Sequence, residues 1–122
     1  MGSINSYQDL LVWQKAMDLA VDFHKLTRRF PREEQFALSA QLRRAGISVP
    51  SNIADGHGRK TTRDYIHFLS IARGSINEAE TQLTLAQRFD YISPSLLSGS
   101  LEKTAEIGRM LNGLIDSLEK KL

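Results

Sequence analysis

Cysteine is absent, and with it go disulfides, zinc ribbons and thiol chemistry. No apolar run approaches the roughly 18 residues that a membrane-spanning helix needs, and no charged-then-apolar leader with a cleavage site opens the chain. A cytoplasmic protein with no membrane contact is expected. Sustained period-2 alternation is missing, so half-buried strands are not expected either. There is no internal repeat and no low-complexity stretch. What remains is an ordinary globular composition, 41% hydrophobic and 25% charged over 122 residues, which argues against disorder. A chain of this length buries one core without staples. One domain over residues 7–122 is expected, with residues 1–6 as a disordered N-terminus or cloning remnant. Met1-Gly2-Ser3-Ile4-Asn5-Ser6 fits an N-myristoylation pattern, but it reads as a frayed terminus or such a remnant.

A strong overall charge is also lacking, since 16 Lys+Arg against 14 Asp+Glu leave +2. The distribution is uneven. Residues 1–23 carry one base and three acids, residues 24–73 ten bases and four acids, and residues 74–122 five bases and seven acids. The middle of the chain, at +6, is where an anionic partner would be met.

Apolar spacing is helical nearly throughout. A first segment from Asp9 to Arg29, with Asp9 as N-cap, places Leu10, Trp13, Ala16/Met17, Ala20, Phe23/His24 and Thr27 on one stripe. Val12, Leu19 and Leu26 fall off that stripe, which implies a second apolar face and subunit contacts to cover it. A second segment opens at Pro31, a favourable first helical position, and runs along Leu38, Leu42, Ala45, Val49 and Ile53. Pro50 predicts a kink near residues 46–50, and Gly56 and Gly58 are expected to act as C-caps. Thr61 or Thr62 caps a third segment whose apolar face includes Phe68/Leu69, Ile71/Ala72, Ile76, Ala79, Leu83, Ala86 and Phe89. Ser93-Pro94 reads as N-cap plus N1 of a fourth, with Leu97, Leu101, Thr104/Ala105, Gly108, Leu111, Leu114/Ile115 and Leu118 as its stripe. Long helices with short connections imply an all-α, up-down-up-down antiparallel four-helix bundle.

Several motifs occur in order along these segments. They are Leu11-Val12-Trp13-Gln14-Lys15-Ala16, Phe30-Pro31-x-x-Glu34, Gln41-Leu42-Arg43-Arg44-Ala45, Ser48 to Gly56, Gly58-Arg59, and Phe68-Leu69-x-x-Ala72-Arg73-Gly74-Ser75-x-x-Glu78. Together they resemble the four-helix bundle proteins encoded by intervening sequences in 23S ribosomal RNA genes. They are also similar to the accessory variability proteins of diversity-generating retroelements. Asp55 departs from the pattern, which usually has Glu there. The resemblance implies a four-helix protomer in a ring-shaped pentamer that binds DNA or RNA and, in the retroelement branch, a reverse transcriptase.

The residues themselves offer little catalytic chemistry. Asp55-Gly56-His57-Gly58-Arg59-Lys60-Thr61-Thr62 lacks the glycine spacing and the preceding strand of a P-loop, although an anion could sit at the start of the third helix. His24, His57 and His67 have no metal-ligand spacing, and Glu78 and Glu80 are too poorly aligned to pair. No catalytic residue, metal or cofactor is expected. Arg43, Arg44, Ser48, Asn52 and Asp55 on the second segment, with Arg73, Ser75 and Glu78 on the third, read as a structural polar network between helices. Arg28, Arg29 and Arg32 at the first turn and Arg59, Lys60 and Arg63 at the second read as two basic tips at opposite ends. Repeated around a ring, each tip would form a rim for nucleic acid. Few aromatics accompany these bases, so no stacking platform is evident. The expected function is a non-enzymatic, homo-oligomeric module that binds nucleic acid. A structural or protein-interaction bundle is the alternative.

Overall fold

The computed structural model describes residues 6–122 and contains four α-helices, α1 (Leu11–Thr27), α2 (Leu38–His57), α3 (Thr62–Arg88) and α4 (Pro94–Glu119). The expected remnant at residues 1–5 lies outside the described residues. Ser6 already belongs to the fold: its hydroxyl accepts from Gln8 N–H, and its own N–H donates to Asp9. Asp9 therefore closes a single 3-10 turn, Tyr7–Asp9, instead of capping α1, whose N-cap is Leu10. Pro31 likewise does not open α2. It precedes a 3-10 turn at Arg32–Glu34, and the α-helix begins at Leu38.

Consecutive helices pack on one another and α1 closes against α4, with no diagonal approach among the described residues. This is the up-down-up-down arrangement of a four-helix bundle. The α1–α4 seam is the loosest of the four. Two ion pairs cross it, Lys15–Glu106 at 3.0 Å and Lys103–Asp22 at 2.7 Å.

The α2 stripe is buried at every expected position. The α1 stripe is not. Its core face is Val12, Ala16, Leu19, Phe23 and Thr27, whereas Trp13 and Ala20 are half-buried and Met17 is exposed. Leu10, Ala16, Phe23 and Thr27 are buried as expected, while Val12 and Leu19 turn inward in place of Trp13, Met17 and Ala20. Both stripes share Ala16, Phe23 and Thr27, and spacing alone does not say which neighbouring edge turns inward. On α3, Phe89 ends up 52% exposed because it is the C-cap. Asp90 follows in the left-handed region at φ 64°, and Tyr91 N–H donates back to Ala86 C=O at 2.8 Å, a Schellman-type close. Ile107, absent from the expected α4 stripe, is buried.

α2 runs through Pro50 without a break. The carbonyl that Pro50 leaves without a donor belongs to Gly46, four residues earlier. Gly46 matters more for its bare Cα, because a Cβ there would stand 2.7 Å from Phe23 Cδ2. Gly56 lies inside α2 and is not a cap; a Cβ there would stand 2.9 Å from Phe68 Cβ. Gly58 is the C-cap, in the right-handed region. Thr61 and Ser93 cap α3 and α4 as expected, accepting from Asp64 N–H and Leu96 N–H.

Gly46→Ala is expected to destabilise, because overpacking costs about 1–3 kcal/mol and Ala returns only about 1 kcal/mol of helix propensity. Gly108→Ala should do the opposite, its Cβ meeting Ile76 Cγ2 at an ordinary 3.9 Å. Urea midpoints moving in opposite directions would verify both.

Candidate functional site: the two ends of the bundle and the polar contacts between them

The topology gathers the α1–α2 and α3–α4 connections at one end of the bundle. At that end the Arg43 guanidinium reaches from α2 to α1, its Nε donating to Thr27 Oγ1 at 2.6 Å and its Nη2 lying 3.4 Å from His24 C=O. Buried Thr27 in turn donates to Phe23 C=O at 2.8 Å. A cation at the last turn of α1 also suits the helix dipole. Glu34 joins the two connections. Its Oε2 accepts from Tyr91 OH at 2.7 Å and its Oε1 from Leu38 N–H at 3.3 Å, while Phe30 packs on the Tyr91 ring at 5.6 Å. The carboxylate that receives the phenol proton pushes the Tyr91 pKa up to about 12. Arg28, Arg29 and Arg32 are exposed around this frame.

At the opposite end the Arg59 guanidinium lies 4.3 Å from the Phe68 ring centroid, a cation–π contact. His57 meets Tyr65 edge-on at 5.8 Å, and burial raises the Tyr65 phenol. Lys60 and Arg63 are exposed beside the Thr61 cap. The two ends differ in charge. Residues 24–43 and 85–97 at the first end carry six bases and three acids. Residues 6–14, 54–67 and 113–122 at the second carry five of each.

The expected polar network resolves into separate contacts. Ser75 OH donates to Ser48 Oγ at 2.8 Å, and Asn52 Nδ2 donates to the same oxygen at 2.9 Å. Arg43 instead serves Thr27, and Arg73 Nη1 donates to Asn112 Oδ1 on α4 at 2.6 Å. Arg44 and Glu78 line one polar cleft with Ser48, Ser75 and Gln82 but are not ion-paired. Both are exposed, as is Asp55, so water solvates them where a partner was expected. Gln82 is buried in that cleft with its Oε1 unbonded.

Thr27, Tyr91, Asn112 and the Thr104–Glu80 bond, at 2.7 Å, escaped the sequence reading because each depends on cross-helix register. Phe36, 90% exposed in the α1–α2 connection, escaped because no periodicity governs a turn. Its place four positions after Arg32, in a turn rich in charge, was the available signal. Among the described residues no cluster of three His, Asp or Glu could hold a metal ion, and no helix is long and apolar enough to cross a membrane.

Fold and surface define an all-α four-helix bundle protein with one basic end and one end of balanced charge. The family model of the 23S rRNA-intervening sequence proteins matches residues 8–113, and the chain belongs to that family. No curated protein matches the chain. Among solved structures, it is similar to a protein of unknown function from the S23 ribosomal protein family of Bacteroides thetaiotaomicron. The two share 29% identity with a TM-score of 0.81 over 87% of this chain and 96% of that one.

Two outcomes follow from this geometry. Arg44→Ala should shift stability by no more than about 0.5 kcal/mol in urea unfolding, as for other unpaired surface residues. Tyr91, whose folded pKa is raised from 10 to about 12, stabilises the fold fully below pH 10. That contribution is lost as the pH rises toward 12. In a spectrophotometric titration the last tyrosinate step should vanish in Tyr91→Phe.

Proposed function

We propose that the protein is a non-enzymatic, cytoplasmic homo-oligomer, a pentamer as the resemblance implies, that binds nucleic acid non-specifically through basic helix ends. It would serve as accessory factor to a larger enzyme such as a reverse transcriptase. One observation carries the reading. Among the described residues, Arg28, Arg29, Arg32, Arg59, Lys60 and Arg63 are all exposed and none is ion-paired. Unpaired guanidinium and ammonium groups gathered at a surface attract phosphates and release their counterions. The charge balance supports the α1–α2 end more strongly than the other.

Support for assembly comes from the outer face of α1. Trp13, Met17 and Val21 form with Ile47 and Pro50 an apolar groove of about 540 Å3 between α1 and α2. Met17, Val21 and Ile47 are 41%, 50% and 59% exposed, and an apolar patch of this kind commonly marks a contact with another protein. The same groove favours the second reading, a protein-interaction bundle without nucleic-acid binding.

The two readings part on salt. Fluorescence anisotropy with labelled strands should show affinity falling steeply as salt rises from about 50 mM to 200 mM. Arg28→Glu with Arg29→Glu is expected to remove most of it. Arg59→Glu with Lys60→Glu should have the smaller effect, since acids already balance that end. Light scattering on a size-exclusion column should return a mass several times 13.7 kDa. Absence of binding in wild type at about 50 mM salt leaves the interaction bundle, and a monomer removes the ring.

A further inference from the structure

We propose that the corner between α1 and α2 is a site for single-stranded nucleic acid, where Arg28, Arg32, Arg43 and Ser39 hold a backbone phosphate and Phe36 stacks on a base. The inference rests on the nucleic-acid reading above and narrows it to one end of the bundle.

A cavity of about 310 Å3 opens at this corner, with Arg28, Arg32, Arg43, Thr27 and Ser39 in its wall. Arg43 is held in place by Thr27 through its Nε, so its Nη1 keeps both hydrogens free for an acceptor. The Arg28 Nη2 approaches His24 Nε2 at 3.4 Å, and Arg32 has no side-chain partner among the described residues. None of the three guanidinium groups meets a carboxylate. Planar guanidinium forks of this kind match phosphate oxygens.

Ser39 adds a hydroxyl to the wall of the cavity. It is 5% exposed, yet its hydroxyl has no hydrogen-bond partner among the described residues. Its oxygen is open to the cavity it borders, so it is available as a donor there. It also lies in the first turn of α2, at the positive end of the helix dipole, where the Leu38 amide is already taken by Glu34. An oxyanion in the cavity would meet the hydroxyl and the arginines together.

Phe36 follows Gln35, which also borders the cavity. With 90% of its surface in water, its ring contributes nothing to the core. A solvent-facing aromatic beside a phosphate pocket is the pairing that grips single strands, because an unpaired base offers its face for stacking. Bases in a duplex are already stacked on one another. The acids at this end do not cancel the site: Glu34 is engaged by Tyr91 and Leu38, leaving Glu33 and Asp90.

The test uses the full chain and three probes, oligothymidylate, oligouridylate and a duplex, in anisotropy titrations across salt. Arg28→Gln with Arg32→Gln should weaken all three at least about tenfold and flatten the salt slope by about 0.7 per lost phosphate on single strands. Ser39→Ala should weaken all three as well, with the slope unchanged. Phe36→Ala should weaken single strands about tenfold while leaving the slope and duplex affinity as in wild type. Comparing the two single strands tells DNA from RNA. Thermal melts establish that each variant folds. If Phe36→Ala binds single strands like wild type, or only breaks the oligomer, the stacking role is overturned. If Arg28 and Arg32 prove silent while Arg59→Glu with Lys60→Glu abolishes binding, this corner is the wrong site and the nucleic-acid reading stands. If wild type binds none of the probes, both fall.

Discussion

Phe23 lies against the bare Cα of Gly46, and the seating of α1 on α2 follows from that contact. Because no side chain intervenes, the two helices come close enough for Arg43 to reach the last turn of α1 and meet Thr27. A second bare position, Gly56, brings α3 onto α2 through Phe68 and Tyr65. α2 is therefore the spine of the bundle, gripped at two heights by different neighbours. Its proline sits between them at a point where Gly46, four residues earlier, presents no side chain to the ring.

This seating also shapes the surface. The inner face of α1 fills the core with Val12, Leu19 and Phe23, and the rotation that achieves it turns Met17 and Val21 outward. An apolar groove is thus a by-product of this core packing. At the α1–α2 end, the arginine that secures the helix pair is also the one that lines the basic corner. Fold and surface chemistry share a residue there, so Arg43 cannot be altered for one without disturbing the other.

Fold class was legible because it rests on periodicity and punctuation. Leu38, Leu42, Ala45, Val49 and Ile53 announce a helix face, and Thr61 and Ser93-Pro94 announce two starts through local hydrogen-bonding chemistry. The errors fell where tertiary contacts overrule local signals. Asp9 and Pro31 looked like helix starts, yet Asp9 closes a short 3-10 turn before α1 and Pro31 leads into another before α2. Arg44 looked like a network member because its spacing matched Ser48 and Asp55, but spacing does not distinguish a residue inside an inter-helix seam from one at its lip. The candidate corner was half legible: its bases could be counted, while the cavity, the unbonded Ser39 hydroxyl and the exposed Phe36 depend on where the turn folds.

The bond between Tyr91 and Glu34 spans 57 positions of chain and links the two helical hairpins of the bundle. Neither hairpin alone can make it. The α1–α2 hairpin supplies the carboxylate and the α3–α4 hairpin the phenol, so the bond exists only once the halves have docked in register. Tyr91 is thereby a built-in optical reporter: its ultraviolet absorption senses whether the phenol proton rests on a carboxylate or on water. Watching that signal while the chain refolds would separate the moment the hairpins meet from the earlier formation of the helices themselves, which far-ultraviolet circular dichroism follows.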